Sequence, residues 1–309
     1  MAETVSSPGT HIYDLTQQYL TNGAVQTLST GFRRLDETLG GGFCPGSIYV
    51  VGGRPGEGKS SLALSIARRM AFDHKRRVIY LSLEMTAQEL IERAICQTTR
   101  KPFPELKKLR DTGQLEALLT PFLALCQQSS FKIEDDRGAT KIDLMVLLEE
   151  NRTAQEPLPE IIIIDHLQHQ LFTEGMNRAD AIANYLADLK MLAKRENIVF
   201  LVCSQLNREV YKEKGGKIQL HHLKSSGAIE EVADCVMLCH KISLESDTMS
   251  REEQSQPTEF KIIIAKHRRG PLDELTMTFH PTIYEFEEPE GSWAPKAKKL
   301  NLDEIVSVV

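Results

Sequence analysis

Three features of the sequence predict an α/β fold built on a mostly parallel sheet. Short apolar runs rich in β-branched residues recur along the chain, at residues 47–51, 78–83, 161–164 and 198–203. Amphipathic stretches lie between them, clearest at residues 178–196, where Ile182, Leu186, Leu189 and Ala193 share one stripe. Glycine and proline turns separate the two kinds of segment, as in Gly40-Gly41-Gly42 and Pro45-Gly46. Buried strands joined by helical crossovers must pair in parallel, with helices on both faces. The sheet is expected to finish antiparallel, with strands at residues 258–266 and 274–280.

Taken in order, residues 1–10 are expected to lack regular structure. Residues 11–20 form a short helix with Ile12, Leu15 and Tyr19 on one stripe, followed by a turn at Asn22-Gly23. So short a helix is marginal alone and should dock, either on its own domain or on a neighbouring subunit. A first buried strand, Ser47 to Val51, precedes a glycine-rich loop and a good helix former at residues 61–67. A second strand runs through residues 78–83 and ends in Glu84. Thr86 and Glu89 form a capping box that opens the next helix. Residues 103–126 are helical with interruptions, Phe131-Lys132-Ile133 is a short strand, and the helix at residues 141–150 is broken by Pro157 and Pro159. Four isoleucines, 161–164, form a strand that ends in Asp165. Another strand ends at Ser204-Gln205. The predicted organisation is an amino-terminal tail with a helix (1–24), one large α/β domain (25–287) and a carboxyl-terminal tail (288–309). Lys296, Lys298 and Lys299 read as solvated tail residues.

Bulk properties narrow the class. With 309 residues the chain can bury a sizeable core, and 41% hydrophobic with 26% charged residues is ordinary for a globular protein. No apolar run approaches the roughly 20 residues of a membrane span. The first ten residues show no basic region followed by an apolar stretch, so no secretion signal is expected. Six cysteines without such a signal suggest reduced thiols. Cys235, Cys239 and His240 invite a metal reading, but no second ligand pair has usable spacing, and the segment reads as a buried strand. A net charge of −6 does not advertise nucleic-acid binding, although a local basic loop inside a ring can supply it.

The chemistry centres on Gly53-Arg54-Pro55-Gly56-Glu57-Gly58-Lys59-Ser60, which matches G-x-x-x-x-G-K-S between a strand and a helix. Glycines at 56 and 58 let backbone N–H groups close around phosphate oxygens, and the helix N-terminus, including Ser61, adds partial positive charge. Lys59 is placed to reach the β- and γ-phosphates, and Ser60 to ligate Mg²⁺. ATP and Mg²⁺ are the implied cofactors. In open α/β sheets the site lies at the carboxyl ends of the strands, where Glu84, Asp165 and Gln205 fall. Asp165 has the Walker B arrangement for holding Mg²⁺. Two readings of Glu84 stay open: general base for the attacking water, or a helix-start acid favoured by the dipole. Gln205 is placed to sense a γ-phosphate. Lys266, His267, Arg268 and Arg269 follow an apolar strand, as an arginine finger or as a solvated basic turn. Residues 207–222 carry Arg208, Lys212, Lys214 and Lys217 around Gly215-Gly216, as a loop that touches a nucleic-acid backbone or simply a solvated one.

Together these motifs resemble the carboxyl-terminal motor domain of DnaB-type replicative DNA helicases. The resemblance covers about residues 25–287 and rests on seven blocks in family order. They are Ser29 to Asp36, the phosphate loop, Ser82-Leu83-Glu84-Met85, Ile164-Asp165-His166-Leu167-Gln168, Ser204 to Arg208, Ser226-Gly227-Ala228-Ile229-Glu230, and Ile264 to Pro271. It implies a RecA-like P-loop NTPase core, assembled as a homo-hexameric ring with ATP between subunits. By carry-over, Glu84 is the catalytic base, Asp165 the Mg²⁺-linked acid and Gln205 the γ-phosphate sensor. Lys266 and Arg268 reach the neighbour's site. Single-stranded DNA threads the pore, gripped by loops near Arg208 and near Lys224, Ser226 and Gly227. The implied activity is ATP hydrolysis driving 5′–3′ unwinding, with a primase or a helicase loader as possible partners and no membrane. The implied setting is the cytosol or nucleoid of a prokaryote-like cell, or an organelle matrix after removal of targeting. A RecA-like DNA-dependent or clock-type ATPase that oligomerises without unwinding is the alternative.

Three departures from the family pattern stand out. His166 replaces the usual Tyr after the Walker B Asp and reads as a tolerated exchange rather than as a catalytic histidine. Lys224-Ser225 stands where the family has Arg-Glu or Arg-Gly, keeping the charge but losing the bidentate fork. The helical amino-terminal collar is expected to be absent, leaving residues 11–22 as a counterpart of the helix that docks on the adjacent subunit.

Overall fold

The computed structural model describes residues 11–23, 25–167, 178–207, 218–223, 226–242 and 255–289. In chain order the helices are α1 (Ile12–Asn22), α2 (Arg33–Thr38), α3 (Lys59–Phe72), α4 (Ala87–Thr99), α5 (Phe103–Asp111), α6 (Leu115–Gln127), α7 (Lys141–Thr153), α8 (Arg178–Glu196) and α9 (Ser226–Val232). The strands are β1 (Ile48–Gly53), β2 (Arg77–Ser82), β3 (Ser130–Glu134), β4 (Ile161–Asp165), β5 (Val199–Gln205), β6 (Cys235–Lys241), β7 (Thr258–His267), β8 (Asp273–His280) and β9 (Glu285–Glu287). The strands form one nine-stranded sheet in the order β3-β2-β4-β5-β1-β6-β7-β8-β9. Pairing is parallel from β3 to β6 and antiparallel from β6 to β9. This is the expected mostly parallel sheet with an antiparallel end.

The isoleucine run of β4 shows why the core has two layers. Side chains alternate across a strand. Ile161 and Ile163 join Leu62 and Ile66 of α3 and Leu90 of α4 on one face. Ile162 and Ile164 join Leu144 and Leu148 of α7 and Leu186 and Leu189 of α8 on the other. All four isoleucines are fully buried, each contributing about 1.5–3 kcal/mol of burial. The Thr86–Glu89 capping box opens α4 as expected, and a second one, Thr140–Asp143, opens α7. The Cys235 to Cys239 segment is the buried part of β6.

Two elements pin the chain's end to its beginning. Glu285 of β9 is buried and accepts from Arg69 Nη2 at 2.7 Å and from Arg68 Nη2 at 3.0 Å, both on α3. The carboxylate of Glu288 accepts from the backbone N–H groups of Arg33, Arg34 and Leu35, at 2.7–3.3 Å. It therefore satisfies free donors at the start of α2. So Glu288, one residue beyond the domain end expected from the sequence, packs as part of the fold. Helix α1 forms, but it leaves Ile12, Tyr13, Leu15, Tyr19 and Leu20 exposed. It does not dock on its own domain. The expectations for residues 1–10 and for the tail beyond residue 289 lie outside the described residues.

Candidate nucleotide site

The parallel sheet gathers the predicted residues at one edge. Four adjacent strands, β2-β4-β5-β1, end together. Ser82 pairs with Asp165, and Gly53 pairs with Gln205. The Leu83 N–H donates to the Asp165 carbonyl at 2.7 Å, which carries the chain on to Glu84 beside it. Residues far apart in sequence, Gly53, Glu84, Asp165 and Gln205, are thus brought to one ledge by strand register alone.

The glycine loop sits on this ledge. Gly53 closes β1, and a Cβ there would lie 3.0 Å from Lys59 Cγ and 3.3 Å from Cys239 Cβ. Gly56 and Gly58 have φ of +78° and +73°, the left-handed region that other residues enter at a cost. Arg54, Pro55 and Gly56 follow at the rim, with Pro55 and Gly56 exposed. Glu57 folds back inside the loop: its Oε2 accepts from the Arg54 N–H at 3.1 Å. Burial raises the Glu57 carboxyl above its ordinary value, offset in part by that hydrogen bond. Lys59 is buried, and its Nζ donates to the Arg54 carbonyl at 2.9 Å, so the ammonium is held across the loop's mouth. Ser60 and Ser61 lie in the first turn of α3, where backbone donors are free of intrahelical partners.

Asp165 is 2% exposed, and its Oδ2 accepts from the Tyr80 hydroxyl at 2.7 Å. Burial, and then Asp165, push the Tyr80 phenol well above its ordinary value, so Tyr80 remains a donor. Burial likewise pushes up the Cys203 thiol beneath it. Asp165 Oδ1 is buried and has no hydrogen-bond partner. A buried, unpaired carboxylate oxygen is costly unless something is bound to it or to a water beside it. The loop donors, Lys59, Ser60 and Asp165 together fit a nucleotide triphosphate with a divalent cation.

His166 follows Asp165 across a cis peptide bond and is 1% exposed. Its Nδ1 lies 2.8 Å from Glu84 Oε2 and its Nε2 lies 2.7 Å from Gln205 Nε2. The imidazole therefore spans the two residues expected to act on the γ-phosphate. Sequence reasoning read this residue as a tolerated exchange and gave it no contact with Glu84 or Gln205. Its one signal was its position, directly after the Walker B carboxylate.

Lys266 and Arg268 lie away from this ledge, at the end of β7. Their side-chain nitrogens donate to the Glu230 and Glu231 carbonyls of α9, and Arg268 Nη1 lies 3.8 Å from Asp234 Oδ1. Partial burial, and then Arg268, lower the Lys266 ammonium below its ordinary value. Within one chain these cations do not meet the glycine loop. Ser226 and Gly227 form the first turn of α9, with open space around the Gly227 Cα. Arg208, Lys212, Lys214, Lys217, Lys224 and Gln168 lie outside the described residues. Among the described residues no group of three or more His, Cys, Asp or Glu gathers as a metal cluster. No helix among them is long and apolar enough to cross a membrane.

Comparison with known proteins agrees with this geometry. The family model for the DnaB-like helicase C terminal domain matches residues 27–288. The chain is 29% identical over 270 residues to the replicative DNA helicase DnaB of Leifsonia xyli subsp. xyli, which covers 86% of this chain and 57% of that protein. It is 27% identical over 263 residues to the replicative DNA helicase DnaB of Geobacillus stearothermophilus, with 84% and 56% covered. The chain thus spans a little over half the length of these curated relatives. Among solved structures, the ATPase domain of G40P superposes with a TM-score of 0.76 at 25% identity, covering 92% of this chain and all of that one. A DnaB-like replicative helicase, described with its interactions with primase, gives a TM-score of 0.74 at 25% identity, covering 93% and 69%.

Proposed function

Because this chain belongs to the family of DnaB-like helicase C-terminal domains, we propose that it is an ATP-driven motor that moves on single-stranded DNA as a ring and unwinds duplex. The observation that carries this reading is the strand-end ledge, where the glycine loop, Asp165, Glu84 and Gln205 meet on four neighbouring strands.

Each residue then has a task set by its position. Backbone N–H groups of Gly56, Gly58, Lys59, Ser60 and Ser61, with the Lys59 ammonium, bind the phosphates. Ser60 and Asp165 would hold Mg²⁺, which when bound neutralises charge on the phosphate oxygens. Glu84, whose side chain is half exposed, takes a proton from the attacking water. Gln205 reports the γ-phosphate. Lys266 and Arg268 act on the neighbouring subunit's nucleotide, since within their own chain they point elsewhere. Arg208, Lys212, Lys214, Lys217 and Lys224, with Ser226 and Gly227, contact the DNA backbone. The motor domain covers residues 25–288, and α1 packs on an adjacent copy through its exposed apolar residues. A hexamer, and contact with a primase or loader, follow from the family reading, as does a cytosolic or nucleoid setting.

The test is ATP turnover by the full chain with and without single-stranded DNA. Turnover stimulated by the DNA is expected, and absent in Lys59→Ala. Turnover that ignores DNA favours an oligomeric ATPase that does not translocate, and equal turnover by Lys59→Ala overturns the ATPase reading.

A further inference from the structure

The imidazole of His166 touches two groups that the proposed function keeps separate: the base Glu84 and the phosphate sensor Gln205. We infer that His166 is a positioning residue that couples them, so that Gln205 sets the orientation of Glu84. The inference rests on the hydrolase reading above.

The chemistry of the three side chains defines the coupling. Gln205 presents its amide nitrogen, which can only donate, to His166 Nε2 at 2.7 Å. With Nε2 accepting there, the ring carries its proton on Nδ1. Nδ1–H then donates to Glu84 Oε2 at 2.8 Å. The contacts form one continuous chain, Gln205 to His166 to Glu84. Both flanking contacts are of ordinary length, so a shift at one end is felt at the other.

Burial makes His166 a rigid link. Its side chain is 2% exposed, whereas that of Glu84 is 50% exposed. A half-exposed glutamate samples several rotamers, and fixing it costs side-chain entropy. One hydrogen bond from a buried ring selects among those rotamers. The ring is held by the β4 end, where β4 pairs with β2 on one side and β5 on the other, and these two strands lead to Glu84 and Gln205. A phenol, the side chain usual at this position in the resembling family, has a single oxygen. Imidazole has two nitrogens on opposite sides and can meet both partners.

The test compares His166→Ala, His166→Asn, His166→Gln, Gln205→Ala and the His166→Ala/Gln205→Ala pair in the full chain with single-stranded DNA. ATP turnover and the affinity for a fluorescent ATP analogue are read together. His166→Ala is expected to lower kcat about 10–100-fold, the scale of a misplaced catalytic group, with nucleotide affinity unchanged. His166→Asn should recover more turnover than His166→Gln, because its amide nitrogen takes the place of Nδ1 against Glu84. Gln205→Ala should cost less in the His166→Ala background than in the wild type. The inference is overturned if His166→Ala turns over at the wild-type rate, if the two losses multiply in the pair, or if affinity falls in step with kcat. Should His166→Ala fail to fold, the order of Asn over Gln decides, and Gln equal to or above Asn overturns it. If the wild type itself hydrolyses no ATP, the hydrolase reading fails and takes this inference with it. If the wild type is active and His166→Ala matches it, only the coupling fails.

Discussion

Gly58→Ala is the substitution whose effect can be worked out most fully from the structure. Gly58 precedes α3 with φ of +73°, and a Cβ there would lie 2.9 Å from Phe286 Cζ and 3.0 Å from Cε2. The ring cannot simply swing aside. Phe286 is fully buried, with ring centroids of Phe279 at 4.6 Å and Phe260 at 5.4 Å. Left-handed backbone in an L-residue costs about 1–2 kcal/mol, and forcing extra volume into a packed core costs about 1–3 kcal/mol. Gly56→Ala is the matched control: φ is +78°, but no atom lies within 4 Å of its Cβ position. It should show only the backbone cost, about 1–2 kcal/mol. Gly58→Ala should therefore melt lower than Gly56→Ala by an amount set by the overpacking alone. At about 2–4 °C per kcal/mol for a domain of this order of size, the gap is roughly 2–12 °C. Thermal unfolding of nucleotide-free protein measures it. Phe286→Leu should shrink the gap by opening space beside the loop. Equal melting of the two alanine variants, or a gap untouched by Phe286→Leu, would refute the packing of β9 under the glycine loop.

Three further outcomes are expected. Glu84→Gln should keep nucleotide binding and lose hydrolysis by about 10²–10⁴-fold, the usual contribution of a general base; wild-type hydrolysis would leave Glu84 as a helix-start acid. Arg268→Ala should bind ATP yet lose about 10³–10⁵ in turnover if it acts as a finger. Reassembly from dissociated chains with Lys59→Ala should restore part of that activity, and normal turnover by Arg268→Ala alone, in an assembly confirmed by light scattering, sinks the role in trans. Single-stranded DNA affinity should fall steeply with salt, and replacing Lys212, Lys214, Lys217 and Lys224 together should flatten the slope by about 0.7 per lost phosphate contact; an unchanged slope places the DNA elsewhere.

How much of this was legible in the sequence depended on whether the cause was local. Ile161 to Ile164 announced β4 because a strand buried on both faces must be apolar throughout. The stripe of α8 and the capping box of α4 were equally local. The glycine loop was visible because its chemistry needs residue types at fixed spacing. Strand β9 was not: three residues are too few to show a period, and what holds Glu285 is Arg68 and Arg69, more than two hundred positions away. The six-residue α2 was missed similarly, since Glu288 satisfies its first donors. The contact of Tyr80 with Asp165, and of His166 with both Glu84 and Gln205, comes from the order β2-β4-β5, which no single segment encodes. The resting place of Lys266 and Arg268 on α9 is a tertiary fact of the same kind.

In the proposed function, ATP turnover at this ledge drives strand separation. The most direct measurement is strand displacement from a forked DNA duplex, labelled on one strand, with the full chain and ATP. Release of the labelled strand is expected with ATP, and none in Lys59→Ala or Glu84→Gln. A wild-type protein that hydrolyses ATP on single-stranded DNA and still leaves the fork paired would contradict it.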